Sequence, residues 1–332
     1  MLTFGLVGCG DIAHLRAQAL AKSASCGLAA VTDVDGARAA AFASRYGVAC
    51  DESVTALVGR AELDAVVICT PPDSHEPVAR AAFAAGKHVL CEKPLARTPE
   101  ECQRMLDAAA ASGKTLATGF NFRFYPSVEK ARELFDAGAI GELDHIRAYC
   151  GYVANAKNGN WLHDAAVTGG GALHDNGIHL LDTVLYFFGE PVEVEGRGTS
   201  MVWNLPGCEE NGFVLMRNAA GRLASVHASW TEWAGYKFSV EIYGSKGCIL
   251  VRCFPMVTEL IVAGEGKPRR RAFYFPKANV MEHVQSYRWI VVESFVKEFD
   301  EFAALVAGRK SAVATGTDGW RAVDVAHRAC ER

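Results

Sequence analysis

The sequence predicts a two-domain α/β chain. A doubly wound parallel sheet occupies residues 1–120, and an α+β domain with a large, mostly antiparallel open sheet occupies 121–332. Three observations carry this. At 332 residues the chain is longer than one hydrophobic core usually grows. Through residue 120, short apolar runs alternate with Ala-rich helical stretches, the pattern of βαβ units with right-handed crossovers. After that point longer strands of alternating apolar and polar residues follow one another, as in an antiparallel sheet with one face packed on helices.

The apolar run at 3–7 fits a buried parallel strand. A helix over 11–21 leads to a strand at 28–32, and a helix over 36–46 ends at Gly47. Strands at 65–69, 88–91 and 115–118 alternate with helices at 75–85, stopped by Gly86, and at 99–112. Further on, helices are expected at 127–136 and 172–188. Strands are expected at 143–153, 192–201, 212–216, 223–230, 238–243 and 248–251. Asn218-Ala-Ala-Gly221 and Gly244-Ser-Lys-Gly247 read as hairpin turns. Helices at 287–307 and 317–330 close the chain, and the boundary near residue 120 is a change of pattern rather than a flexible joint.

Half the residues are apolar and 22% are charged, ordinary for a globular protein. A net charge of −4 gives no basic footprint for nucleic acid and no polybasic segment for a membrane surface. Only Lys267-Pro-Arg-Arg-Arg271 clusters positive charge, and it reads as a hairpin's solvated face. The start, Met1 to Gly8, is apolar but lacks a basic leader and a cleavage site. No stretch reaches the roughly 18–20 apolar residues of a membrane span, so a cytoplasmic location is expected. None of the eleven cysteines forms Cys-x-x-Cys, and Cys69, Cys91 and Cys248 lie in apolar runs. They read as thiols in a reducing compartment, not as disulfides or metal ligands.

Gly8-x-Gly10-x-x-Ala13 directly follows the first strand and opens the first helix. Gly8 permits the tight turn, Gly10 lets the backbone approach a pyrophosphate, and Ala13 is small enough for close helix–strand packing. The free N–H groups and positive dipole end of that helix, which begins with Asp11 and Ile12, then face the diphosphate. Asp33 ends the second strand, about 20 residues on, where a carboxylate accepts hydrogen bonds from the adenosine 2′-OH and repels a 2′-phosphate. These features describe a Rossmann dinucleotide site and favour NAD over NADP. Arg38 sits inside the next helix and does not read as a phosphate clamp. After the third strand, Thr70 and Pro71 skirt the cofactor, and His75 either contacts it or caps the following helix.

A lysine at the C-terminal end of a Rossmann strand, in Cys91-Glu92-Lys93-Pro94, points toward the nicotinamide. With Thr70-Pro71-x-x-x-His75, Gly86-Lys-His-Val89, Gly119-Phe-Asn121-Phe-Arg123-Phe124, Gly138-Ala-Ile-Gly141 and the run from Gly169 to Asp182, the sequence resembles the glucose–fructose oxidoreductase/inositol dehydrogenase (Gfo/Idh/MocA) family along nearly its whole length. The resemblance implies that Lys93, Asp175 and His179 form the reaction centre and that Glu92 supports Lys93 or the cofactor ribose. It also implies a homodimer or homotetramer paired through the second domain's sheet. The residue types agree with alcohol oxidation. His179, with an unperturbed pKa of about 6.5, can take the hydroxyl proton. Asp175, four residues earlier on one expected helix face, can orient the imidazole or hold a substrate hydroxyl. Lys93 can donate to the reacting oxygen. Asn121 and Arg123 read as pocket-edge residues, Arg123 equally as a structural ion pair.

Two points depart from a simple match. Many relatives carry Trp-Arg before the triple glycine, whereas this chain has Trp161-Leu-His163, so His163 is a candidate for the pocket beside Trp161. His163-Asp164 and His174-Asp175 could offer metal ligands, but no His-Glu-x-x-His or Cys-rich set accompanies them, and no metal is expected. The expected activity is NAD-dependent hydride transfer from a secondary alcohol of a sugar, polyol or sugar derivative, with NADP as the alternative cofactor. Rival readings are an NAD-dependent glycosidase using transient oxidation, a ketoreductase on a nucleotide-linked deoxysugar, and a non-catalytic NAD or sugar sensor.

Overall fold

The computed structural model describes residues 1–154 and 161–330. It divides into two compact units, Met1–Asn121 with Tyr287–Trp320, and Phe122–Ser286 with the chain from Arg321. The expected division at 120 put everything that follows into one domain. Instead residues 287–320 belong with the first unit, because their helix lays an apolar stripe on the first helix and strand of the Rossmann sheet.

The elements of the first unit follow in order: β1 (Leu2–Val7), α1 (Asp11–Leu20), β2 (Cys26–Thr32), α2 (Gly36–Tyr46), β3 (Ala49–Cys50), α3 (Val54–Val58), β4 (Ala65–Ile68), α4 (His75–Ala84), β5 (His88–Cys91), α5 (Pro99–Ser112) and β6 (Leu116–Thr118). The strands are parallel and ordered β3-β2-β1-β4-β5-β6, so the winding reverses between β1 and β4. Ligands of such sheets bind outside the carboxyl ends of the strands at that reversal. Local chemistry sets the helix ends. Asp35 caps α2 by accepting from the N–H groups of Ala37 and Arg38, and Gly47 ends it at φ +67°. Thr98 caps α5, with Pro99 at the first helical position. The two-residue β3 and one-turn α3 were not foreseen, being too short to show a period.

The second unit contains α6 (Pro126–Asp136), β7 (Leu143–Gly151), α7 (Ala165–Thr168), α8 (Gly177–Phe188), β8 (Pro191–Thr199), β9 (Asn211–Asn218), β10 (Leu223–Ser229), β11 (Lys237–Gly244), β12 (Gly247–Cys253), β13 (Met256–Val262), β14 (Arg269–Tyr274) and α9 (Pro276–Gln285). Its eight strands run β14-β13-β12-β11-β7-β10-β9-β8, all neighbours antiparallel except the β7/β10 pair. Alternation sends Ile146, Ala148, Val214, Met216, Val226, Val240 and Ile242 inward. Those of β7, β10 and β11 face α8, which turns Leu180, Leu181 and Val184 inward, each buried Val, Leu or Ile contributing roughly 1.5–3 kcal/mol. Both expected hairpin turns form. The first places Gly221 at φ +77°, and the second joins β11 to β12 through Ser245 and Lys246. β13, β14 and α9 were not foreseen, and the arginine run lies exposed on the edge strand β14.

Two helices close the chain, α10 (Arg288–Val306), which packs on α1, and α11 (Gly316–Cys330). Among the described residues no helix is long and apolar enough to cross a membrane. Among the described residues no two cysteines form a disulfide.

Candidate active site

In the first unit the predicted cofactor residues gather at the carboxyl ends of β1, β2, β4 and β5. Gly8 has φ +90°, and a Cβ there would lie 2.8 Å from the Thr70 side chain and 2.9 Å from the Cys69–Thr70 backbone. Only glycine lets these two strand ends meet so closely. Next to Gly10 nothing lies within 4 Å of a would-be Cβ, and no side chain caps α1. An open space in front of uncapped helix N–H groups fits a diphosphate. Ala13 is fully buried, while Asp11 is exposed and Ile12 half-buried. The Asp33 carboxylate accepts from Cys9 N at 2.6 Å and from Asp35 N at 2.8 Å, which ties the acidic residue to the glycine turn. Arg38 lies in α2 and reaches Asp35 at 3.3 Å.

Of the two roles the sequence left open for His75, the helix cap does not form. The residue is fully buried at the start of α4, where it makes no side-chain cap. Its Nε2 lies 2.8 Å from the Thr70 carbonyl and its Nδ1 3.0 Å from the Pro94 carbonyl. Burial pushes its pKa down, and a neutral ring carries one N–H, so it donates to one of these two carbonyls and packs against the other, between the Thr70-Pro71 turn and the turn that carries Lys93. That second turn has its own anchor. Glu92 accepts from Arg16 Nε at 2.7 Å and from Lys93 N at 3.3 Å. Arg16 is fully buried, also pairs with Glu298 of α10, and stacks over Phe295 at 3.6 Å. Glu92 thus supports the backbone of Lys93. Lys93 itself is half-buried, and its peptide bond to Pro94 is cis.

In the second unit Asp175 and His179 flank the start of α8, but not as expected. The helix begins at Gly177 rather than at 172, and Asp175 lies in the turn before it, its N–H donating to Gly171 O at 3.0 Å. The pair therefore does not share a helix face. Glycine makes the turn possible. A Cβ on Gly171 would come within 2.1 Å of the Glu209 carbonyl oxygen, and one on Gly177 within 2.7 Å of the Ala172 carbonyl oxygen. His179 is 7% exposed and stacks on Phe122, with ring centroids 4.3 Å apart. Asp175 Oδ2 accepts from Tyr152 Oη and from Trp230 Nε1, the latter at 3.1 Å. His163 stands edge-on to the same indole at 5.3 Å, and its Nδ1 is buried without a partner. Trp161, in the same short 3-10 turn, is 44% exposed.

Asn121 and Arg123, expected at the pocket edge, are both buried and bonded within their own units. Asn121 is buried in the first unit and donates to Ser294 Oγ at 2.8 Å. Arg123, in the second, makes a bidentate pair with Asp182, Nε to Oδ2 at 2.9 Å, and lies over the Tyr186 ring at 4.5 Å. This is the ion-pair alternative the sequence allowed. His174 is buried against Gly170 with neither ring nitrogen bonded, and burial pushes its pKa down to about 4. Among the described residues no three His, Cys, Asp or Glu side chains converge as a metal site. Sequence reading missed Tyr152, Trp230 and Glu209. A tyrosine and a tryptophan just past strand ends, and a carboxylate 34 residues beyond Asp175, carry no local signal, because only the sheet's register brings them to the turn.

Comparison with known proteins identifies the class. Residues 2–120 match the family profile described as "Oxidoreductase family, NAD-binding Rossmann fold", and residues 128–250 match the "GFO/IDH/MocA C-terminal domain". The chain belongs to the Gfo/Idh/MocA oxidoreductase family. Among its relatives, the inositol 2-dehydrogenase of Rhizobium meliloti is 28% identical over 98% of this chain and 95% of that protein. Inositol 2-dehydrogenase 2 of Saccharopolyspora erythraea is 31% identical over 82% and 79%. A solved levoglucosan dehydrogenase in complex with NADH has the same fold, with a TM-score of 0.88 at 23% identity over 98% of this chain and 95% of that one.

Proposed function

We propose that the protein oxidises a secondary alcohol of a sugar, polyol or sugar derivative with NAD. The observation that supports this reading is the gathering of Gly8, Asp33, Thr70 and Lys93 at the carboxyl ends of β1, β2, β4 and β5, on either side of the sheet's reversal, where a dinucleotide is expected with the lysine at its edge. NAD, when bound, supplies the hydride acceptor. Gly10 and the N–H groups of α1 hold the diphosphate, with Asp11 and Ile12 lining its approach. Asp33 takes the adenosine ribose and disfavours the 2′-phosphate of NADP. Lys93 donates to the reacting oxygen and lowers the hydroxyl's pKa. His179 takes the hydroxyl proton as the carbinol carbon becomes a carbonyl, and Asp175 orients the imidazole or holds a neighbouring hydroxyl. Trp161 and His163 border the substrate. The relatives named as inositol dehydrogenases support a polyol substrate.

The same reading includes a homodimer or homotetramer in the cytosol. The outer sheet face presents Phe213, Leu215 and Leu223, each about half exposed, beside Arg147–Glu241 and Arg217–Glu193 pairs, a mixed surface that a second copy can cover. Free thiols suit a reducing compartment.

The test is a panel of polyols and sugars, with NADH and NADPH formation as the readout. Net NADH formation is expected. A tenfold or greater preference for NADP overturns the role of Asp33, and glycoside cleavage without net NADH favours the glycosidase. Lys93→Met and His179→Ala should each lose at least about a hundredfold in turnover while still binding NAD. Wild-type turnover in either removes that residue from the centre.

A further inference from the structure

Two donors from two neighbouring strands converge on one oxygen of Asp175. Tyr152 follows β7 and Trp230 follows β10, and these strands pair in parallel, with Gly151 opposite Ser229. The backbone carries the pairing past both strand ends, Tyr152 N donating to Ser229 O at 3.0 Å and Ala154 N to Trp230 O at 3.0 Å. Trp230 N in turn donates to Glu210 O at 2.7 Å. The phenol and the indole are therefore set side by side by sheet register, and both end on Asp175 Oδ2. Trp230 is 1% exposed, so its ring has no room to swing. Burial, and the carboxylate beside it, push the Tyr152 phenol well above its usual pKa, so it remains a donor across the working range.

We propose that Tyr152 and Trp230 are positioning residues for the oxidation, holding Asp175 in the single rotamer from which it serves the substrate or His179. The inference rests on the functional reading of Asp175 given above. A carboxylate on a turn has two free side-chain torsions. Two strand-borne donors on one oxygen remove that freedom, and misplacing a catalytic group by about 1 Å can cost on the order of a hundredfold in rate. The pair belongs to the second unit and the proposed dinucleotide residues to the first, so loss of a donor should act on turnover and leave cofactor affinity alone.

The experiment is a double-mutant cycle in the full-length protein. Tyr152→Phe keeps the ring and removes only the hydroxyl. It should lower kcat for the best alcohol by about tenfold, the scale of one hydrogen bond to a charged group, with KM for NAD and the melting temperature unchanged. Trp230→Phe should lower kcat in the same way. In an Asp175→Asn background, already slow, Tyr152→Phe should change kcat by less than about twofold, because the group it positions is gone. An equal loss in both backgrounds, or an unchanged kcat in Tyr152→Phe alone, overturns the positioning role while leaving Asp175 in place. Wild-type turnover in Asp175→Asn alone overturns the functional reading itself.

Discussion

The assignment of Arg123 separates a substrate contact from a structural pair, and replacing it measures the difference. Arg123 is 7% exposed and Asp182 only 1%, and the two exchange a bidentate pair of hydrogen bonds. Arg123→Met keeps the length of the side chain and its contact with Tyr186 but leaves the Asp182 carboxylate buried without its cation. Breaking a buried pair by removing one partner costs about 3–5 kcal/mol. For a unit of this size each kcal/mol is worth about 2–4 °C of melting temperature, so a fall of about 10 °C is expected. Arg123→Met/Asp182→Leu replaces both partners with apolar groups and should recover most of it, since a well-packed apolar pair is often as stable as the ion pair it replaces. Melting is followed by circular dichroism, and KM for the alcohol is measured well below the transition. The reasoning predicts a large loss of stability with an unchanged KM. A variant that melts like the wild type but binds alcohol several-fold more weakly would return Arg123 to the pocket edge and refute the structural assignment.

Two further predictions concern the second unit. Gly171→Ala should destabilise the unit and slow turnover together, because the new Cβ would press within 2.1 Å of the Glu209 carbonyl oxygen and push the Asp175 turn aside. Thermal melting and kcat on the same sample check it, and a variant normal in both would show that the turn yields. His174 has a folded pKa of about 4 against an ordinary 6.5, so between these values only the unfolded chain takes up the proton. Stability therefore falls as pH drops from 6.5 toward 4, by about 3 kcal/mol from this group. Urea melts of the wild type and His174→Leu at pH 7.5 and 4.5 check the sign, since the variant should lose less on acidification. Parallel losses would mean that His174 is solvated in the fold.

Much of the first unit could be read from the chain because its signals are local. A parallel strand buried on both faces is a continuous apolar run, and Gly8, Gly47 and Gly113 punctuate the βα units at turns that need a positive φ. Asp33 and Lys93 announce themselves as charged residues at the ends of such runs. The part of that unit that escaped was non-local. No pattern tells that the apolar face of α10 lies on α1, or that Arg16, inside the first helix, is the buried partner of both Glu92 and Glu298. In the second unit alternation found most of the antiparallel strands. It failed at β13, whose first four residues are all buried, and at β14, where three successive arginines look like solvent-facing loop. The start of α8 was misplaced because Ala172, Leu173 and His174 are as apolar and buried as a helix face, yet Gly177 rather than a capping side chain begins the helix.

That misplacement bears on what fixes the proposed acid–base pair. Were Asp175 on α8, helix geometry alone would set its distance from His179, and the sheet would only support the helix. Since Asp175 precedes the helix, its place depends on the ends of β7, β9 and β10. Glu209 and Glu210, adjacent and so directed to opposite sides of an extended backbone, each hold one loop. Glu209 accepts from Gly171 N at 2.9 Å and Leu173 N at 2.8 Å, while its carbonyl takes Ala172 N at 2.8 Å. Glu210 accepts from Ser200 Oγ and from the N–H groups of Met201, Val202, Trp203 and Asn204. Burial alone would raise the Glu210 pKa, but this ring of donors outweighs it and holds the carboxyl below its ordinary value. The Glu210 carbonyl also receives Trp230 N, so the backbone at 209–210 fixes the Asp175 turn on one side and the indole that grips Asp175 on the other. His179 rides on the helix, and Asp175 on a turn tied to the strand ends through Glu209, Tyr152 and Trp230. The geometry between them is therefore set by how α8 packs on β7 and β10, and substitutions in that packing layer, such as at Ala228 against Gly177, are where the pair can be tuned without touching either residue.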